Sequence, residues 1–294
     1  MPDSITQRTF SFPTIDGQTL FAQEWKLKGT EPSQARKPIL GIVHGLGEHS
    51  GRYPPVANYF VRHGFHVVSY DHRGHGKTKG KMLPFQTLKN DIQCLCNYAA
   101  CNDHTPLILY GQSFGAALVL KFLADSSPAS IADNNIVCAI ASSPLLVPTT
   151  DPPRWKILLG ERLLPFFPNL RLPHGLKAHD LTHDPQIVNQ FRHDPLVSPT
   201  VSIALGHSML ASGRELLESF TPPPIPLLLM HGSEDRITSA AATQKLAAKL
   251  NKNCRLRIWD GLYHELHFEK NASEVLDYAR QFISDYTRFS PKNT

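Results

Sequence analysis

The chain is short of much that would point it elsewhere. Among its 294 residues no apolar run approaches the length of a membrane-spanning helix. The first eight residues, Met1-Pro2-Asp3-Ser4-Ile5-Thr6-Gln7-Arg8, lack the apolar stretch of a secretory signal. Neither membrane insertion nor export by a cleaved signal is expected. Cysteine is sparse and odd in number. Cys94, Cys96, Cys101, Cys138 and Cys254 have no metal-ligand spacing, and three of them crowd one predicted helix. They read as reduced thiols of a cytoplasmic protein. The net charge is only +5, from 30 basic and 25 acidic residues, with no dense basic run, so no nucleic-acid partner is implied. Lys77, Lys79 and Lys81 cluster locally and read as a solvated loop rather than a membrane patch. Histidine is plentiful at 15, but those near the candidate site sit beside glycines instead of forming a three-ligand set. No metal and no cofactor is expected.

What the chain does have is alternation. A hairpin over Thr9 to Phe12 and Thr19 to Trp25 is followed by apolar strands separated by helical segments. That order signals an α/β fold, a mostly parallel central sheet with helices on both faces. Function in such a sheet gathers at the carboxyl ends of the strands. The alternation breaks between Pro144 and Pro224, where no strand is evident and prolines crowd. We read 1–143 and 225–294 as the core and 144–224 as an inserted, mainly helical cap. Within the cap Trp155, Leu158, Leu159, Leu163 and Phe166 recur at helical spacing, with Lys156 and Arg162 between them. Such a stripe ordinarily packs on the body. The competing reading lines an apolar tunnel or touches a membrane surface, and burial of that face decides between them.

The chemistry is carried by Gly111-Gln112-Ser113-Phe114-Gly115. It follows the apolar run Pro106 to Tyr110 and opens the helix-like segment Ala116 to Leu123. A strand turning sharply into a helix with serine at the apex is a nucleophile elbow, in which small flanking residues let the backbone pass closely. A serine hydroxyl needs a base and a group to orient that base. In this fold they follow the serine in the order acid, then histidine. The strand Ile225 to Met230 runs into His231-Gly232-Ser233-Glu234-Asp235, which makes Asp235 the candidate acid with Glu234 as its rival. Cys254 to Trp259 alternates like an edge strand and leads to Asp260-Gly261-Leu262-Tyr263-His264-Glu265-Leu266-His267. His264 is the candidate base, with His267 and His231 as rivals. Spacing alone does not separate neighbours on a loop, and a plain capping or Asx-turn role competes for each. For the oxyanion, Phe114 offers the N–H after the nucleophile. Leu46, in the glycine-containing loop after the strand Pro38 to Val43, offers the second.

These segments together resemble the monoacylglycerol lipase and lysophospholipase branch of the α/β-hydrolases, and the likeness covers nearly the whole chain. The most specific stretch is His44-Gly45-Leu46-Gly47-Glu48-His49-Ser50-Gly51-Arg52-Tyr53. It is joined by Tyr70-Asp71-His72-Arg73-Gly74-His75-Gly76, the elbow, and Tyr263-His264-Glu265-Leu266-His267. The resemblance implies a serine esterase of small lipid esters. Its roles fall on Ser113, Asp235 and His264, with Leu46 and Phe114 as oxyanion donors. It further implies a polar pocket for glycerol hydroxyls at Glu48, Arg52 and His267, although Glu48 and Arg52 equally suit an internal ion pair that shapes the loop. The chain departs from the family's animal members, which read Gly-His-Ser-Met-Gly-Gly at the elbow, and it has no cysteine in Arg236-Ile237-Thr238-Ser239 after the acid. Thiol-directed inhibition is therefore not expected, and substrate preference is the property most open to change. The rival activities are lysophospholipase and general carboxylesterase. A binding protein without activity is the distant one, since all three triad positions are filled. The expected location is cytoplasmic, with transient membrane-surface contact through the cap.

Overall fold

The structure, a computed structural model, describes residues 4–28, 37–102, 105–250 and 254–287. Two nine-residue strands, β1 (Ile5–Pro13) and β2 (Thr19–Leu27), pair antiparallel. The hairpin thus begins four residues before the apolar alternation announces it, because Thr6, Gln7 and Arg8 are polar and carry little signal. The chain then alternates β3 (Ile39–Val43), α1 (Pro54–Arg62) and β4 (His66–Tyr70). Helices α2 (Phe85–Asn90) and α3 (Gln93–Cys101) follow, then β5 (Leu107–Gln112), α4 (Phe114–Asp125), α5 (Pro128–Asp133) and β6 (Ile136–Ser142). Strands β3 and β5 are buried at every residue, which is why they read as continuous apolar runs rather than alternating ones.

After β6 the chain leaves the sheet. It forms α6 (Arg154–Leu163), β7 (Arg171–Pro173), α7 (Pro185–His193), β8 (Thr200–Ser202) and α8 (Ile203–Ser219). It re-enters as β9 (Leu227–Gly232), α9 (Ala240–Lys249), β10 (Cys254–Trp259) and α10 (Ala272–Tyr286). The sheet has eight strands in the order β1-β2-β4-β3-β5-β6-β9-β10, and every pair from β4 to β10 is parallel. Strands β7 and β8 form a separate antiparallel pair inside the insertion, where the sequence shows none. Each is only three residues long, too short to leave a period of two.

Helices α1 and α10 cover one face through Val56, Phe60, Phe282 and Ile283. The other face is covered by α2, α3, α4, α5 and α9, joined by Leu205 and Leu216 from α8. Helix α8 therefore anchors the insertion to the body. Helix α6 rests against α8 without entering the core: none of its residues is buried, and Trp155 is 63% exposed. The packed reading of that stripe fails. All five cysteines are unpaired. Among the described residues, no helix is long and apolar enough to cross a membrane.

Candidate active site

Ser113 sits at the apex between β5 and α4 with φ 55° and ψ −115°, a conformation that an L-residue holds only when its surroundings force it. The forcing is legible atom by atom. A Cβ on Gly111 would fall 2.5 Å from Ala116 Cα, and one on Gly115 would overlap the carbonyl oxygens of Val43 and His44. Only glycine allows the strand, the turn and β3 to approach this closely. The Ser113 N–H donates to Ser142 O at 2.8 Å and its carbonyl accepts from Ala117 N at 3.1 Å, so the turn is pinned on both sides. The side chain keeps 9% exposure, and among the described residues its Oγ makes no hydrogen bond. The Phe114 ring packs inward, edge-on to Phe85 at 5.7 Å and to His72 at 5.6 Å between ring centres. Its N–H, like that of Leu46, donates to no group among the described residues. Two amides beside the elbow are thus without a partner among the described residues.

The structure brings Asp235 and His264 together from the ends of β9 and β10. His264 Nδ1 lies 2.7 Å from Asp235 Oδ2. The same oxygen accepts from the Thr238 hydroxyl at 2.9 Å and contacts His231 Nε2 at 3.0 Å, while Oδ1 takes the N–H groups of Ile237 and Thr238. Burial alone would raise the carboxyl pKa. The charge of His264 and the hydrogen bonds from His231 and His264 hold it well below the usual carboxylate range. For His264 burial pushes down, but Asp235, and after it Glu265 and Glu48, carry the imidazole above its ordinary value of 6.5. The loop bearing His264 is held against the elbow by its own carbonyl, which accepts from the Gln112 amide at 3.1 Å and the Ser143 hydroxyl at 2.8 Å.

The rivals are sorted by contact. Glu234 is exposed, with its backbone N–H on Leu262 O. His267 does not reach Asp235, and its Nδ1 meets the Tyr110 hydroxyl at 3.3 Å. Burial pushes His267 down to about 3, and its Nε2 is buried without a partner among the described residues. His231 touches the same Asp235 oxygen as His264 and is tied to the Thr243 hydroxyl at 2.8 Å, which suits it to orient the acid.

Glu48 and Arg52 form the internal ion pair. Glu48 Oε1 accepts from Gly45 N at 2.6 Å and the Tyr53 hydroxyl at 2.9 Å, and Oε2 accepts from Arg52 at 2.5 Å. The other prong of this network was not legible in the sequence: Arg52 also grips Glu265 through two hydrogen bonds of 2.6 and 2.8 Å. Glu265 lies inside a motif that the sequence reading quotes, but nothing in the spacing links it to a residue 213 positions away. A second unforeseen feature is the cluster of His44, His72 and His75, whose rings meet tilted and edge-on. His44 Nδ1 faces the Gly45 carbonyl, which can only accept, so that nitrogen carries the proton, and His44 Nε2 accepts from His72 N–H at 3.0 Å. These rings hold the loops after β3 and β4 together. The described residues contain no group of three or more His, Cys, Asp or Glu side chains arranged to hold a metal.

Sheet order, strained serine and the acid–histidine pair define a class, the α/β-hydrolases with serine at the elbow. The profile of the family described as Serine aminopeptidase, S33 matches residues 34–271, and the chain belongs to that family. It falls in the family's monoacylglycerol lipase branch and is a serine hydrolase of the lipase and esterase type. An abhydrolase domain-containing protein of Dictyostelium discoideum is 29% identical over 288 residues, and the match covers 96% of this chain. It covers only 29% of that relative's length. A monoacylglycerol lipase of Mycolicibacterium smegmatis is 28% identical over 297 residues, covering 95% of this chain and 98% of its own. The crystal structure of a Paleococcus ferrophilus monoacylglycerol lipase shares the fold at 24% identity, with a TM-score of 0.76 over 97% of this chain and 100% of that one.

Proposed function

We propose that the chain hydrolyses monoacylglycerol to fatty acid and glycerol through an acyl-enzyme on Ser113. His264 Nε2 takes the serine proton as Oγ attacks the ester carbonyl, and the N–H groups of Leu46 and Phe114 receive the oxyanion. The imidazolium then protonates the departing glycerol oxygen. Water enters, gives its proton to His264, and releases the acid. Asp235 fixes the Nδ1–H tautomer and stabilises the charged ring. The single observation that carries this reading is the convergence at the strand ends, where Gln112 and Ser143 grip the carbonyl of His264 while its Nδ1 meets Asp235.

The polar end of the site supports an alcohol with free hydroxyls. The partnerless Nε2 of His267 is the kind of buried atom that a substrate hydroxyl satisfies. Glu48 and Arg52 border the same region and act through the shape of the loop they brace. The segment 144–224 serves as the cap over a core formed by 1–143 and 225–294. Its apolar face, with Trp155, Leu158, Leu159, Phe166 and Phe167 exposed and Arg154, Lys156 and Arg162 beside them, fits transient contact with an anionic lipid surface. The test is product release from a panel of monoacylglycerols, lysophospholipids, short p-nitrophenyl esters and aminoacyl p-nitroanilides. Preference for monoacylglycerol is expected. Preference for lysophospholipid would move the reading within the branch, and turnover of anilides alone would overturn it.

A further inference from the structure

We propose that Glu265 is a positioning residue, which through Arg52 locks the oxyanion loop to the loop that carries His264. This rests on the triad reading above. Three segments meet at the Arg52 guanidinium. From the oxyanion loop comes Glu48, whose other oxygen holds the Gly45 N–H one residue before the Leu46 donor. From the histidine loop comes Glu265, gripped at both oxygens. The guanidinium carbon lies over the ring of Phe191 in α7, 4.8 Å from its centre, and over that of Phe268, at 5.0 Å. The side chains of all three ionic partners are nearly buried, at 8%, 3% and 4% exposure for Arg52, Glu48 and Glu265. A planar fork held bidentate and packed on aromatic rings fixes direction as well as distance.

The consequence for the catalytic loop is geometric. The His264 carbonyl is fastened to the elbow, and the very next residue is fastened to Arg52 by its side chain and to Leu181 O by its N–H at 2.7 Å. The imidazole therefore hangs between two anchors. Leu181 and Phe191 belong to the insertion, so the same node ties that segment to the base. The charge balance also matters, because two carboxylates against one guanidinium leave a net negative charge beside His264. The groups that face that ring are Asp235 and Thr238 at Nδ1, then Glu265, Glu48 and His267, with Arg52 opposing the carboxylates. Removing the charge of Glu265 makes the imidazolium less favourable.

The experiment compares wild type, Ser113→Ala, Glu265→Gln and Glu265→Asp on p-nitrophenyl butyrate, recording kcat and KM across the acidic and neutral pH range. Melting curves establish that each variant is folded. For Glu265→Gln we expect kcat to fall ~10-fold with KM held within ~2-fold, the pattern of an interaction used in the transition state. The acidic limb of its profile should also move to lower pH. Glu265→Asp keeps the charge but is one methylene short of the fork, so the limb should return while kcat stays low. If Glu265→Gln does not fold, Arg52→Lys carries the test, with low kcat and an unmoved limb. Wild-type kcat and limb in Glu265→Gln, with Ser113→Ala inactive, overturn the positioning role alone. Activity retained in Ser113→Ala removes the triad reading and this proposal with it.

Discussion

At Asp235 five donors converge on one carboxylate: two backbone N–H groups, one hydroxyl and two imidazoles. A carboxylate so supplied is held ionised, and in the proposed mechanism it orients His264 instead of sharing its proton. Asp235→Asn should fold and should lose on the order of 10⁴-fold in kcat, since the amide favours the wrong tautomer of its partner. Steady-state ester hydrolysis checks this, and near-normal turnover would move the acid to Glu234. The pH profile identifies the base independently. His264 must be neutral to accept the serine proton, and its pKa is raised, so kcat/KM should fall as pH drops through a value above 6.5. His267, held near 3, would give no limb in that region. Four of the five proposed catalytic residues sit beside an apolar strand, which is why the sequence offers them as candidates. Glu265 is legible as a letter in a motif but not as the partner of Arg52, because a bond across 213 residues leaves no local period.

At the scale of elements the elbow is the most constrained feature. Gly115 has no room for a methyl group against the backbone of β3, and backbone oxygens cannot step aside as a side-chain end can. Gly115→Ala should destabilise by about 2 kcal/mol or more, read as a lowered Tm, with activity lost in step as the serine shifts. A Tm unchanged from wild type would mean that the strand and helix are less tightly opposed than described. The strands β3, β5 and β9 are plain in the sequence because they are buried on both faces. The insertion is not, since its short strands and proline-broken helices follow tertiary contacts rather than periodicity. Helix α6 was recognised but its surroundings were not. Leu158→Asp, on its exposed side, should leave hydrolysis of a short soluble ester intact and weaken sedimentation with anionic vesicles. Unchanged sedimentation would exclude α6 as the contact.

Across the whole molecule, buried histidines held neutral make stability depend on pH in the weakly acidic range. Burial and the neighbouring rings hold His44 low, and burial first of all holds His72 at about 3, His75 at about 4 and His267 at about 3. The unfolded chain binds protons at these positions below about 6.5, whereas the folded one does not, so their contribution is complete above that pH. It is lost progressively as pH falls toward 4, at up to about 1.4 kcal/mol per group and pH unit. His264, shifted upward, works in the opposite sense but only above about 6.5, so it offsets none of this loss. Calorimetry should show Tm falling between about pH 6.5 and 4, and a flat Tm there would contradict the neutral assignment.

The claim on which the account turns is that acyl transfer passes through Ser113. The direct measurement is peptide mapping by mass spectrometry after brief reaction with an acyl fluorophosphonate, with Ser113→Ala treated in parallel. The account predicts a single adduct on Ser113, formed faster as His264 loses its proton, and none in the variant. An adduct on another residue, or none in the wild type while esters are still hydrolysed, would contradict it.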